Sequence, residues 1–355
     1  MVENRVHKGN LFILSLVILN IVFSILAGPL NKVFKLSNYT LMFIANLVFL
    51  AIPLTVYFIV NRESAKDVLR IKFLGGKDLL FVILISIFIQ PLLNFLSGVV
   101  ALILPNNVSA LLSGSGDVSI WIRLFVIAVM PAVLEEFSVR GVVLSNYKHI
   151  GLKKSAILTG LLFAILHMSI QMFLYTFVMG ILFAYLVHIT GSIFSSMLSH
   201  FIVNGTQIIM ADRAIKKAME AGQSVSSSAD ILNGSVAMKI GFVLGLGIVA
   251  IISFIIVKIL MTKLAESHGM DLKNLDNINE TKCCNVEFNN DEFGSAQSIE
   301  KIYENNNDGC TEDFYSKQEM SSTKENKEKI MDVPFIITIA IYIIVNSISL
   351  YKIFS

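Results

Sequence analysis

Nine apolar runs, each near the roughly 20 residues that an α-helix needs to cross a hydrocarbon core, divide this chain. They lie at about 11–30, 39–60, 78–104, 119–144, 154–170, 172–189, 192–211, 236–262 and 333–354. The expected fold class is therefore all-α: a polytopic transmembrane helical bundle of about eight spans plus one extra C-terminal span. Composition agrees, because 55% hydrophobic against 15% charged residues, with a mean hydropathy of +0.72, is far too apolar for a soluble globular protein. The lipid bilayer is thus the first expected partner.

Arg5 and Lys8 precede the first run, Leu11 to Leu30, as in a signal peptide. No persuasive small-residue cleavage site follows, so this run reads as a retained span. Lysine and arginine in short loops stay on the cytoplasmic side. Arg62, Lys66, Arg70, Lys72 and Lys77 fill the loop between the second and third runs, whereas the segment from Pro105 to Ser119 has no basic residue. This asymmetry predicts a cytoplasmic N-terminus, and Lys148, Lys153 and Lys154 agree, while Lys32, Lys35, Arg213, Lys216 and Lys217 run against it. The expected setting is a bacterial plasma membrane, to which the Asn-, Ile- and Lys-rich composition points. A formal net charge of +2 and the lack of any nucleic-acid motif give no reason to expect a nucleic-acid partner.

Between Glu266 and Asp332 the character changes: sixteen acidic residues against seven lysines cannot bury enough apolar surface to fold. All three cysteines, Cys283, Cys284 and Cys310, lie there and read as reduced bystanders of a cytoplasmic linker rather than as metal ligands. Five segments result: N-terminal spans at 1–118, a core at 119–211 that carries the chemistry, a loop and eighth span at 212–264, an acidic disordered linker at 265–332, and a last span at 333–355.

Ionisable residues inside an apolar run are expensive and mark a site by default. Glu135 and Glu136 stand in the fourth run with Arg140 four residues after the second. Residues four apart share a helix face, so Glu136 and Arg140 can pair. Glu135 is turned about 100° away and is left in a poorly solvated place, as a candidate general base. Phe163 and His167 are spaced four apart in the next run, and His200 and Asn204 in the seventh. A carboxylate, two imidazoles and an amide that can donate to an oxyanion make a plausible site for acyl hydrolysis by water.

These residues also carry a resemblance. Glu135-Glu-Phe-Ser-Val-Arg140 resembles the EExxxR motif, Phe163-Ala-Ile-Leu-His167 the FxxxH motif and His200-Phe-Ile-Val-Asn204 the HxxxN motif of the CAAX protease and bacteriocin-processing (CPBP, or Abi) family, in the same order. Thr190-Gly191-Ser192 is similar to a further element of the third motif region. The likeness covers about Ser119 to Met210, and Val139, where many bacterial members have Phe, is a packing change.

The resemblance implies an intramembrane endopeptidase that cuts a peptide or a lipidated protein. It assigns Glu135 with His167 to water activation, His200 with Asn204 to the oxyanion, and supporting roles to Glu136 and Arg140. It implies no cofactor. Zinc was once inferred for the family, but the sequence has no HExxH, and two histidines on separate spans with an Asn are a poor zinc set. Prenylated proteins, pheromones and bacteriocins are all compatible substrates, and the oligomeric state stays open.

Other readings compete. Glu136 with Arg140 can be a buried ion pair that fixes register, and either histidine an interhelical hydrogen-bonding residue. A non-hydrolytic bacteriocin-immunity or peptide-binding protein is the alternative function, and a transporter a third, without the inverted repeat it would need. Gly180 and Gly191 are expected to let helices approach closely.

Overall fold

The computed structural model describes residues 5–104, 118–220, 236–272 and 330–354. These fall in one of two units, and the other, Asn277–Glu328, lies outside the described residues, as do the three cysteines and most of the acidic linker. Among the described residues every regular element is a helix. In chain order, α1 is Arg5–Phe34, α2 Asn38–Asn61, α3 Gly76–Ala101, α4 a segmented helix over 120–146, α5 Leu152–Leu166, α6 Ile170–Thr190, α7 Ile193–Glu220, α8 Val236–Ser267 and α9 Val333–Phe354. The chain is an integral membrane protein: seven of these helices are long and apolar enough to cross a bilayer.

The two remaining helices, α4 and α5, are those that carry the glutamates and His167. Two π-helical stretches, Phe125–Val129 and Phe137–Val143, interrupt α4. The first has a visible cause. Pro131 follows it, and a proline has no N–H to give to the carbonyl four residues earlier and clashes with it, so the preceding turn widens. The same pairing of π-turn and proline recurs in α2, where Leu47–Ala51 precedes Pro53. Helix α5 stops at Leu166 after 15 residues, at a turn where Met168 takes the left-handed conformation (φ 49°). The seventh expected span ends later than its apolar run, since α7 continues to Glu220.

Contacts between helix ends define one face of the bundle. Lys8 Nζ donates to Glu63 Oε1 at 3.0 Å, Asn10 Nδ2 to Asp332 Oδ1 at 2.8 Å, and His268 Nε2 lies 2.9 Å from Asp78 Oδ1. Tyr147 donates to Asn10, Ser192 to the carbonyl of Lys72, and the amide of Ile193 to that of Arg70 at 3.2 Å. Burial, with the charge of Asp332 adding, pushes the Tyr147 phenol above its ordinary value, so it remains a donor. The start of α1, the ends of α2, α4, α6 and α8, and the starts of α3, α7 and α9 therefore meet on this face.

Close approach of α5 and α6 rests on glycine. A Cβ at Gly180 would lie 2.7 Å from Gly160 Cα, so no side chain fits there. Gly191 serves differently from the expectation: nothing lies within 4 Å of where its Cβ would be, and its φ of 64° makes it the left-handed cap that ends α6.

Candidate active site

Glu135 and Glu136 end the α-helical stretch Met130–Glu136 of α4, and the π-turns begin at once. Arg140 reaches back across them: Nη1 donates to Glu136 Oε1 at 3.0 Å, and both side chains are fully buried. Nη2 donates to the carbonyl of Gly180 on α6 at 3.0 Å. The guanidinium lies 4.3 Å from the ring centroid of Phe163 and 5.1 Å from that of Phe183. A desolvated cation is thus paired, hydrogen-bonded and faced by two aromatic rings, the circumstances in which a buried charge is tolerated.

Glu136 Oε1 also faces His200 Nδ1 at 3.0 Å. An ionised carboxylate only accepts, so Nδ1 carries the proton and Nε2 points away. That Nε2 is 4.0 Å from Glu135 Oε2. His167 repeats the arrangement from α5: Nδ1 lies 2.9 Å from the carbonyl of Phe163, one turn back, and Nε2 is 4.0 Å from the same Glu135 Oε2. The carbonyl fixes the tautomer and leaves the Nε2 lone pair toward the glutamate. Glu135 Oε2 is buried without a direct hydrogen bond to another described residue. A gap of 4.0 Å is too long for such a bond, and one water can bridge it.

Five of the six residues singled out from the sequence thus come together: Glu135, Glu136, Arg140, His167 and His200. Asn204 does something further. Its Nδ2 donates to the carbonyl of Ile127 at 3.1 Å. Ile127 is four residues before Pro131, and its carbonyl is the one that the proline deprives of a helical donor. Asn204 therefore ties α7 to the widened turn of α4, and one of its two amide hydrogens remains.

Sequence reasoning passed over several contributors. Phe183 sits in an apolar run with nothing to distinguish it, yet its ring faces both Arg140 and His200, the latter at 5.3 Å. Gly180 contributes its carbonyl as well as its lack of side chain. Asn20 and Asn346 border the turn after His167, and a signal for both was present, since a buried amide in an apolar run needs a partner. Among the described residues no group of three or more His, Cys, Asp or Glu side chains is arranged to hold a metal ion.

An apolar cavity of about 570 Å³ flanks the site between α3, α4 and α7. Ala132 and Val133, ahead of the glutamates, and Leu198 and Phe201, either side of His200, contribute to its wall.

Residues 117–206 match the family model described as type II CAAX prenyl endopeptidase Rce1-like. The matched stretch contains all six site residues. No curated protein and no solved structure matches the chain.

Proposed function

We propose that residues 117–206, which match the Rce1-like type II CAAX prenyl endopeptidase model, form the catalytic domain of a membrane-embedded peptide-bond hydrolase, with Glu135 as its general base. The observation that carries this reading is the approach of two imidazole Nε2 atoms from different helices to one buried glutamate oxygen, each at 4.0 Å. A water between Glu135 Oε2 and His167 Nε2 gives one hydrogen to each acceptor and turns a lone pair toward the scissile carbonyl. As its oxygen bonds to the carbonyl carbon, its proton passes to Glu135, which returns it to the amine as the C–N bond breaks. His200 in its doubly protonated form, with Nδ1 held by the Glu136 carboxylate, donates from Nε2 to the oxyanion together with the remaining amide hydrogen of Asn204. Glu136 and Arg140 hold His200 and the α4–α6 contact in place.

The substrate in this reading is a membrane-associated peptide or lipidated protein, and the apolar cavity beside the site supports a substrate with a lipid or hydrophobic segment. No metal is assigned a step. The donor set supports this, because Glu136 is engaged by Arg140 and His200, and a fixed guanidinium next to the site opposes a dication. Activity should therefore survive strong chelation; loss with phenanthroline and recovery with zinc would move the mechanism to a metal.

Cleavage by the purified protein, with and without a prenyl chain on the peptide, is the direct test. Glu135→Gln keeps size and most hydrogen bonding but cannot take a proton, and should lower turnover about 10² to 10⁴-fold with little change in melting temperature. A Glu135→Gln protein that cleaves at the wild-type rate would remove the assignment.

A further inference from the structure

The last helix, α9, lies outside the stretch that matches the family model, yet it touches the turn that carries His167. Helix α6 begins at Ile170 after Ser169, whose side chain makes no capping bond. The first amides of a helix have no partner within it and need one from elsewhere. Ile170 N donates to Asn346 Oδ1 at 2.8 Å, across 176 positions of sequence. On the other side of the turn, the carbonyl of Leu166 accepts from Asn20 Nδ2 of α1 at 3.1 Å. His167 stands between these two clamped peptides.

Asn346 is buried at 4% exposure and its own Nδ2 is held by the carbonyl of Tyr342 at 3.0 Å, so its Oδ1 is oriented before it meets the turn. The helix that presents it is fixed in turn. Asp332 caps α9 through Phe335 N at 3.0 Å and accepts from Asn10 of α1, Phe335 is buried, and Tyr342 packs on Phe173 of α6 with ring centroids 5.5 Å apart.

We infer that Asn346 is a positioning residue of the catalytic site: by capping Ile170 it holds the turn that aims His167 Nε2 at Glu135. This rests on the role proposed above for His167. A shift of the turn by about 1 Å changes the geometry in which the water is held, and displacements of that size can cost about 10²-fold in rate.

The test uses the full-length protein in vesicles of defined lipid and a cleavable peptide, with rates expressed per folded molecule. Asn346→Leu removes the acceptor at similar size, and kcat should fall about 10-fold to 10²-fold with KM little changed and the pH–rate profile displaced. Asn346→Asp, in its neutral form, keeps an oxygen that accepts from Ile170 and a hydroxyl that donates to the Tyr342 carbonyl, and should restore most of kcat. Asn346→Ser, whose hydroxyl is too short to reach, gives the same loss by a change that burdens folding less. A kcat within about twofold of wild type in the Leu and Ser variants, or a loss that Asp does not restore, overturns the inference. Glu135→Gln run alongside separates the cases: if it is inactive while the Asn346 variants are not, only the positioning role fails, and if it is active the site assignment itself fails.

Discussion

The two adjacent glutamates differ by environment, and that difference predicts how their substitutions behave. Glu136 shares one oxygen between Arg140 and His200, both at 3.0 Å and both buried. Glu136→Gln and Arg140→Gln each strand a charge in a dry place, and a loss of about 3–5 kcal/mol is expected for breaking such a pair. Melting temperature and folded yield should register it first. Replacing both by apolar residues should cost less than the two single losses together, and strict additivity would show that the pair is not coupled in the way the geometry implies. The pairing of Glu136 with Arg140 was legible in the sequence because both lie on one helix at a spacing of four. The bond from His200 was not, because the two residues are 64 positions apart with two helices between them, and no local rule fixes which nitrogen meets which oxygen.

Individual helices show the same division between what periodicity reveals and what packing decides. Each of the nine apolar runs became a helix, since length and hydropathy suffice to specify one in lipid. Where α4 would widen and where α5 would stop were not legible, as both depend on partners elsewhere. Pro131 makes the widened turn intelligible, and Asn204 completes it by donating to Ile127. Asn204→Leu should therefore destabilise the protein by about 1–3 kcal/mol, the penalty for a carbonyl left without a donor where lipid excludes water. Pro131→Ala offers Ile127 a helical N–H again, so the same substitution should cost less in that background. The two losses compared in a double-mutant cycle decide the matter: equal costs in both backgrounds would mean that Asn204 does not act through the proline-freed carbonyl. Close packing of α5 on α6 makes a related prediction. Gly180→Ala places a methyl 2.7 Å from Gly160 Cα, which must part the helices and draw the Gly180 carbonyl from Arg140, so both stability and turnover should drop.

At the scale of the molecule, one measurement orients every helix, because the contacts between helix ends place them on a common face. The start of α1 meets the end of α2 through Lys8 and Glu63, α9 meets α1 through Asp332 and Asn10, and α8 meets α3 through His268 and Asp78. The loop between α1 and α2, with Lys35, lies at the opposite end of α1, and Arg123, Asp212 and Lys216 form an ion-pair cluster between the start of α4 and the far part of α7. The dense basic loop after α2 argues that the face with the N-terminus is cytoplasmic, although Lys32, Lys35, Arg213, Lys216 and Lys217 count the other way. Single cysteines resolve the conflict in a variant with Cys283, Cys284 and Cys310 replaced by serine. Lys66 and Lys35 are both exposed and belong to opposite ends of the bundle. With an impermeant thiol reagent on intact cells, Lys35→Cys should be modified at once and Lys66→Cys only after lysis. The reverse pattern would turn the whole bundle over.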